Sequence, residues 1–328
     1  MTSAVPLKTR SRMKPFWFSL LALALLCAPA SASPLKELLA AGRVDDAIQT
    51  LQQQVQHSSN DAESYNLLCR AYFMLEDWDR GITACERARD LDPRNSLYQL
   101  WLGRAYGEKA DHAGVLSATV LAKKVRTAFE RAVELDPRSW EARTDLAEFY
   151  LEAPGIIGGG EDKARAQADA IAPLNPALAH WIAARIAAKN HDIASAEREY
   201  RAAIIANQSL GRAWVDLAGL FFHNGRLDEM EQVLNKLESV PVEQREALRD
   251  GASVLLRAGR DFPLAVRLLR RYLSSPVEEG PAFKAHDLLG QLLEKQGDRQ
   301  AAAAEYRAAL ALAHSYAHAQ EDLKRVEP

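Results

Sequence analysis

The 328-residue chain is 48% hydrophobic and 26% charged, with a formal net charge of −3. That is the balance of a folded protein, and it lacks the basic excess that a nucleic-acid partner would call for. Ala, Leu and Arg dominate while β-branched residues are sparse, which favours helix, and the length suits one solenoid or two compact domains.

Residues 1–32 read as a secretory signal peptide. Lys8, Arg10, Arg12 and Lys14 form a positive leader, and Phe16 to Cys27 is an apolar run shorter than the ~20 residues of a membrane span. Ala30-Ser31-Ala32 then supplies small residues for cleavage. An uncleaved anchor is the alternative. Cleavage predicts a periplasmic or secreted mature chain, residues 33–328, with no stable membrane span left. The mature chain keeps Cys69 and Cys85, and export makes a disulfide between them chemically accessible. Two small buried thiols are the competing expectation, since the offset along two helices can exceed bonding reach.

The chain is organised around residues 61–93. Tyr65, Leu68, Cys69 and Tyr72 fall at i, i+3, i+4 and i+7 and give one apolar helical stripe. Gly81, Cys85 and Ala88 give a second stripe, which Pro93 ends. Small residues at Cys69, Gly81 and Ala88 let two helices approach closely. Such a pair buries too little to fold alone, and the pattern recurs: Leu91-Asp92-Pro93 returns at 135–137, and Leu174-Asn175-Pro176 echoes it.

These residues resemble the tetratricopeptide repeat family. The matches are Leu102-Gly103 with Tyr106, then Phe129, Ala132 and Pro137, then Tyr200 and Ala203, and Leu289-Gly290 with Tyr306. The resemblance implies an all-α, right-handed α-solenoid of antiparallel helix pairs from Pro34 onward. About seven pairs are expected, the first truncated to Leu35–Ala41 and Val44–Gln56, with a polar capping helix over 315–326. Two pairs carry extra residues between their helices, at 107–124 and 152–160, and these predict two enlarged turns on one edge.

Site chemistry is sparse. No Ser-His-Asp, Cys-His or paired-carboxylate arrangement stands out, so the chain reads as non-catalytic, with no cofactor and no metal. The glycines at 155 and 158–160 precede a helix but lack a P-loop Gly-Lys-Ser/Thr, so a structural turn is expected. His314 and His318 lie one turn apart and could hold a metal; a solvated helix face is the preferred reading. His286 is expected to be packed at the start of its pair.

In the resembled family the first helix of each pair lines a concave groove. That carries ligand-groove expectations to Asn66, Arg70, Phe73, Arg104, Thr144, Glu148, Val215 and Phe222. Arg70 and Arg104 should sit on one row, able to clamp a carboxylate or else paired with Glu63, Glu108 or Glu148. The enlarged turns, with His112, Pro154, Ile156, Ile157 and Gly158, should form a second contact edge. The expectation is a periplasmic scaffold for a protein or peptide partner, with its oligomeric state open. An envelope protein binding a carbohydrate or lipid-linked polymer, drawing on Phe73 and Phe222, is the alternative.

Overall fold

The computed structural model describes Met1 and residues 34–243, 245–274 and 281–327. The signal-peptide expectation falls on a separate unit, residues 1–32, outside the described residues apart from Met1. The remainder, Ser33–Pro328, is one compact unit.

Its described residues form seventeen α-helices: α1 (Pro34–Ala40), α2 (Val44–His57), α3 (Ala62–Met74), α4 (Trp78–Leu91), α5 (Ser96–Asp111), α6 (Val115–Leu135), α7 (Trp140–Glu152), α8 (Glu161–Ile171) and α9 (Pro176–Lys189). They continue as α10 (Ile193–Ala206), α11 (Gly211–His223), α12 (Leu227–Ser239), α13 (Glu246–Ala258), α14 (Phe262–Leu273), α15 (Ala282–Lys295), α16 (Arg299–Leu312) and α17 (Ala317–Val326). No strand occurs among the described residues. The described helices make eight antiparallel pairs and a capping helix, where the repeat pattern predicts about seven pairs. The solenoid architecture is as the repeat pattern required, and no described helix is long and apolar enough to cross a membrane.

Local chemistry sets the helix ends. Asp61, Asp77, Ser139, Asn175, Asp192 and Asp298 stand just before their helices, and each side chain accepts a backbone N–H three residues on. Such a cap contributes about 1 kcal/mol. Within most pairs the first helix ends on a left-handed residue: Gly42, Gly225, Gly259 and Gly297 take φ of 74°, 72°, 64° and 86°, while Glu76 and His191 take 62° and 58° despite carrying a β-carbon. This turn reverses the chain and satisfies the last carbonyls; Asp77 N, for example, donates to Tyr72 O.

Packing within a pair depends on close approach. A β-carbon built on Gly103 would fall 2.4 Å from the Phe129 ring, and one on Gly290 would fall 2.5 Å from the Tyr306 ring. Packing between pairs repeats a polar staple at constant spacing. Tyr106 donates to Glu86 at 2.5 Å, Tyr150 donates to Glu130 at 2.9 Å, and the Tyr72 hydroxyl accepts from Gln52 at 2.8 Å, each pair twenty residues apart. The constancy shows that the extra residues fall inside pairs and leave the junctions between pairs in register.

The first enlargement is helix and not loop. α5 has 16 residues and α6 has 21, against 13 and 14 in α3 and α4. The ten extra residues lengthen both helices, which turn through His112, Ala113 and Gly114. The second enlargement is a short 3-10 turn, Gly155–Ile157, followed by three glycines.

Candidate concave binding face

The first helices of successive pairs lie side by side along one wall, α3 against α5, α7 against α9, and α11 against α13. Their inward side chains form a ladder of arginines, carboxylates and tryptophans. At one end Arg70 and Arg104 both stack on Trp101, with guanidinium carbons 5.1 and 4.9 Å from the ring centre. Phe73 meets the same ring edge-on at 5.6 Å and meets Trp78 at 5.5 Å. Further along, Arg185 and Arg212 flank Trp181 at 5.4 and 4.9 Å. Cations over an indole face are attracted by its quadrupole.

Carboxylates interleave with these cations. Arg104 Nε donates to Asp145 Oδ2 at 2.6 Å. Arg185 reaches Glu148 at 3.0 Å, Glu152 at 3.2 Å and Asp216 at 3.9 Å. Trp181 Nε1 also donates to Asp216, at 2.8 Å. Burial pushes the carboxyls of Glu148 and Asp216 above the usual range, with Arg185 opposing the shift in both. Part of the Asp216 side chain, 29%, still meets water.

The expected groove residues divide. Arg104, Phe73 and Glu148 stand on the wall. Asn66 and Thr144 do not present themselves to a ligand; they are 2% and 1% exposed, and the Thr144 hydroxyl donates to Trp140 O within its own helix at 2.6 Å. Arg70 is 6% exposed, its charge covered by Trp101 and its neighbours, so it braces the wall more than it reaches into it. Val215 and Phe222 are half-buried against the core, with Phe222 tilted onto His223. Arg104 pairs with Asp145, a carboxylate not among the expected partners Glu63, Glu108 and Glu148. Sequence reasoning misses Trp101, Asp145, Trp181, Arg185 and Asp216 as wall residues. Trp181 reads as plain core by spacing, and it is buried; the arginine one turn on, Arg185, is the available signal.

The enlarged turns are built unequally. His112 caps α5 and stacks on Trp78 at 5.8 Å. Pro154 opens the 3-10 turn. Ile156 projects into solvent, whereas Ile157 is buried and its carbonyl accepts from Arg126 at 3.1 Å, so Ile157 is a structural residue and not a contact. Gly158 is left-handed, at φ 98°, and lies tight against Arg126. His314 and His318 are largely solvated, as expected, and each also reaches a carboxylate near the other end of the chain, Asp45 and Glu76 respectively. His286 hydrogen-bonds Glu305 at 2.7 Å. No group of His, Cys, Asp and Glu that could hold a metal occurs among the described residues. The sulfurs of Cys69 and Cys85 are joined across α3 and α4, with Cα atoms 5.1 Å apart.

Comparison with known proteins points one way. Tetratricopeptide repeat models match residues 38–106, 183–242 and 249–317, together more than half of the chain. No curated protein matches the sequence. Among solved structures, a thermophilic tetratricopeptide protein of Thermus thermophilus is 18% identical, with a TM-score of 0.48 over 57% of this chain and 95% of that one. The Cut9 and Hcn1 hetero-tetramer of APC/C is 14% identical at a TM-score of 0.41, covering 91% of this chain and 57% of that one. A tetratricopeptide repeat protein from Parabacteroides merdae is 16% identical at 0.39, covering 85% and 100%. With the family-model matches over more than half of its length, its glycine–aromatic pair contacts and its recurring hairpins, the chain belongs to the tetratricopeptide repeat family.

Proposed function

We propose that the mature chain is an exported, non-catalytic scaffold that holds an extended segment of a protein partner against its concave wall. Tetratricopeptide repeats are protein-interaction scaffolds, which supports the coarse reading. The observation that carries the finer one is the Trp101 platform, with Arg104 stacked on it and Asp145 beside Arg104. An indole and a guanidinium on one wall suit a peptide, offering apolar contact, hydrogen-bond donors and a carboxylate to a backbone that has both donors and acceptors. The positive leader, apolar run and small-residue site of residues 1–32 support export to a periplasm-like compartment. Ile156, with Val115, Leu116 and Val120 at the start of α6, supplies exposed apolar side chains for a second contact edge. Phe73 packs edge-on against Trp101 and Trp78 and so belongs to the same aromatic wall.

The test is capture with the mature protein, identification of the bound partner, and titration of that partner against Trp101→Ala and Arg104→Ala. Loss of affinity by about tenfold or more in both, with helix content unchanged, is expected, the loss of a residue central to binding. Unchanged affinity in both would remove the wall from the account.

A further inference from the structure

The two ends of the solenoid touch. In each pair the turn between its helices lies on one edge of the solenoid, and the junctions between pairs lie on the other. Here the turn edge of the first pairs meets the junction edge of the last. Lys284, at the start of α15, reaches Glu76 Oε1 at 2.5 Å, although the two are 208 residues apart. Asp45 Oδ2 accepts the backbone N–H of His314 at 2.6 Å and lies 2.5 Å from the His314 ring, and Ser315 donates to Asp45 at 3.3 Å. His318 lies 3.6 Å from Glu76. A β-carbon on Gly42 would fall 2.8 Å from the Ala282 Cβ, so the edges are in van der Waals contact there.

Two features mark this seam as more than incidental proximity. Glu76 occupies the left-handed turn position that Gly42, Gly225, Gly259 and Gly297 fill elsewhere, and that His191 alone shares with it among the turns of this kind. A side chain is disfavoured in that conformation, so a glutamate there points to a use for its carboxylate. The lengthened α5 carries Glu108 and His112 close enough to Lys284 and Glu76 for their charges to interact. The first enlargement thus extends the turn edge toward the seam. Burial alone would raise the Glu76 carboxyl, yet the Lys284 ammonium outweighs it and holds the group below the usual carboxylate range.

The strength of the seam differs from that of the rest of the fold. Adjacent pairs share one continuous apolar core, while charge pairs, hydrogen bonds and one small-residue contact join the ends. The His314 and His318 side chains are 78% and 63% exposed, and pairs so placed are weak singly and screened by salt, whereas Lys284 and Glu76, at 23% and 34%, are screened less and form the stronger part of the seam.

We propose that the solenoid is a ring with an electrostatic clasp: Glu76 and Asp45 hold Lys284, His314 and His318 to close the circuit, and release of this seam opens the concave wall sideways to an extended chain. This rests on the reading of that wall as the binding face. A closed ring admits a peptide by threading a free end; an opened one admits an internal segment.

Spin labels placed through Thr50→Cys on α2 and Gln320→Cys on α17 report the seam directly, in the absence of any partner. Raising salt from about 0.01 M to about 1 M shortens the screening length from ~30 to ~3 Å. The label distance should lengthen and broaden over that range. Glu76→Gly should do the same at low salt while leaving the melting temperature unchanged or higher, because the turn itself favours glycine. Lys284→Ala should reproduce the opening from the other side. A distance unmoved by salt and by both substitutions would overturn the clasp. That result would leave partner binding at Trp101 and Arg104 intact, whereas loss of that binding with a salt-sensitive seam would overturn the wall reading alone.

Discussion

Arg104 on α5 donates to Asp145 on α7 through a 2.6 Å bond, joining the first helices of two neighbouring pairs along the inner wall. Both side chains are largely covered, at 29% and 14% exposed, so screening weakens this pair less than a surface ion pair. Arg104→Ala should cost about 1.5–3 kcal/mol, the range for a hydrogen bond to a charged group. A double-mutant cycle with Asp145→Ala should return a coupling of at least ~0.5 kcal/mol in urea unfolding. Strict additivity would show that the two merely lie near each other.

Close packing of the third pair rests on Gly103. Gly103→Ala would place a β-carbon 2.4 Å from the Phe129 ring and should cost about 1–3 kcal/mol by overpacking. Gly107, four residues on in the same helix, meets nothing within 4 Å. Gly107→Ala should therefore stabilise by about 0.5–1 kcal/mol through helix propensity. Thermal melts of the two variants should move in opposite directions; equal shifts would contradict the assigned helix contact.

The last pair contains a carboxyl that folds at a cost. Asp287 on α15 is 4% exposed, and burial, with Asp322 nearby, lifts its pKa to about 6 from an unfolded value of 3.8. Gln291 Nε2 donates to both carboxyls at 3.1 Å. The folded chain therefore holds the proton more tightly than the unfolded chain. The group's contribution is most favourable below about 4 and is lost as pH rises through about 6. A shift near two units corresponds to roughly 3 kcal/mol at neutral pH. Asp287→Asn should recover part of that at pH 7 and flatten the stability profile between about pH 4 and 6, as read by urea titrations across that range. An unchanged profile would contradict the burial of this carboxyl.

The Cys69–Cys85 bridge closes a short loop, with a sequence separation of 16. In the chain-entropy picture a loop of that size contributes about 3 kcal/mol. Oxidised protein should show no free thiol in denaturant, and reduction should lower stability by roughly that amount without changing helix content. Two titratable thiols in protein purified from an oxidising compartment would contradict the bond.

The architecture is legible in the sequence because each pair declares itself locally. An apolar stripe, a small residue at the crossing and a proline or asparagine stop recur from pair to pair, and short-range chemistry decides them. The Leu102-Gly103 pattern against Phe129 is an example. The wall is less legible, since exposure depends on how strongly the row of helices curves. Asn66 and Thr144 occupy inward offsets and are nevertheless covered. Arg185 and Asp216 gain their roles only from neighbouring pairs. Contacts such as Lys284 to Glu76 are hardest to foresee, because they arise between residues 208 apart and leave no periodic trace in the repeat pattern.

The most direct test of the scaffold reading is a calorimetric titration of the captured partner into wild-type protein and into a Trp101→Ala, Arg104→Ala double variant of confirmed helix content. Tight binding to the wild type, with the variant weakened about tenfold or more, is the predicted result. Equal affinity for both proteins would contradict it.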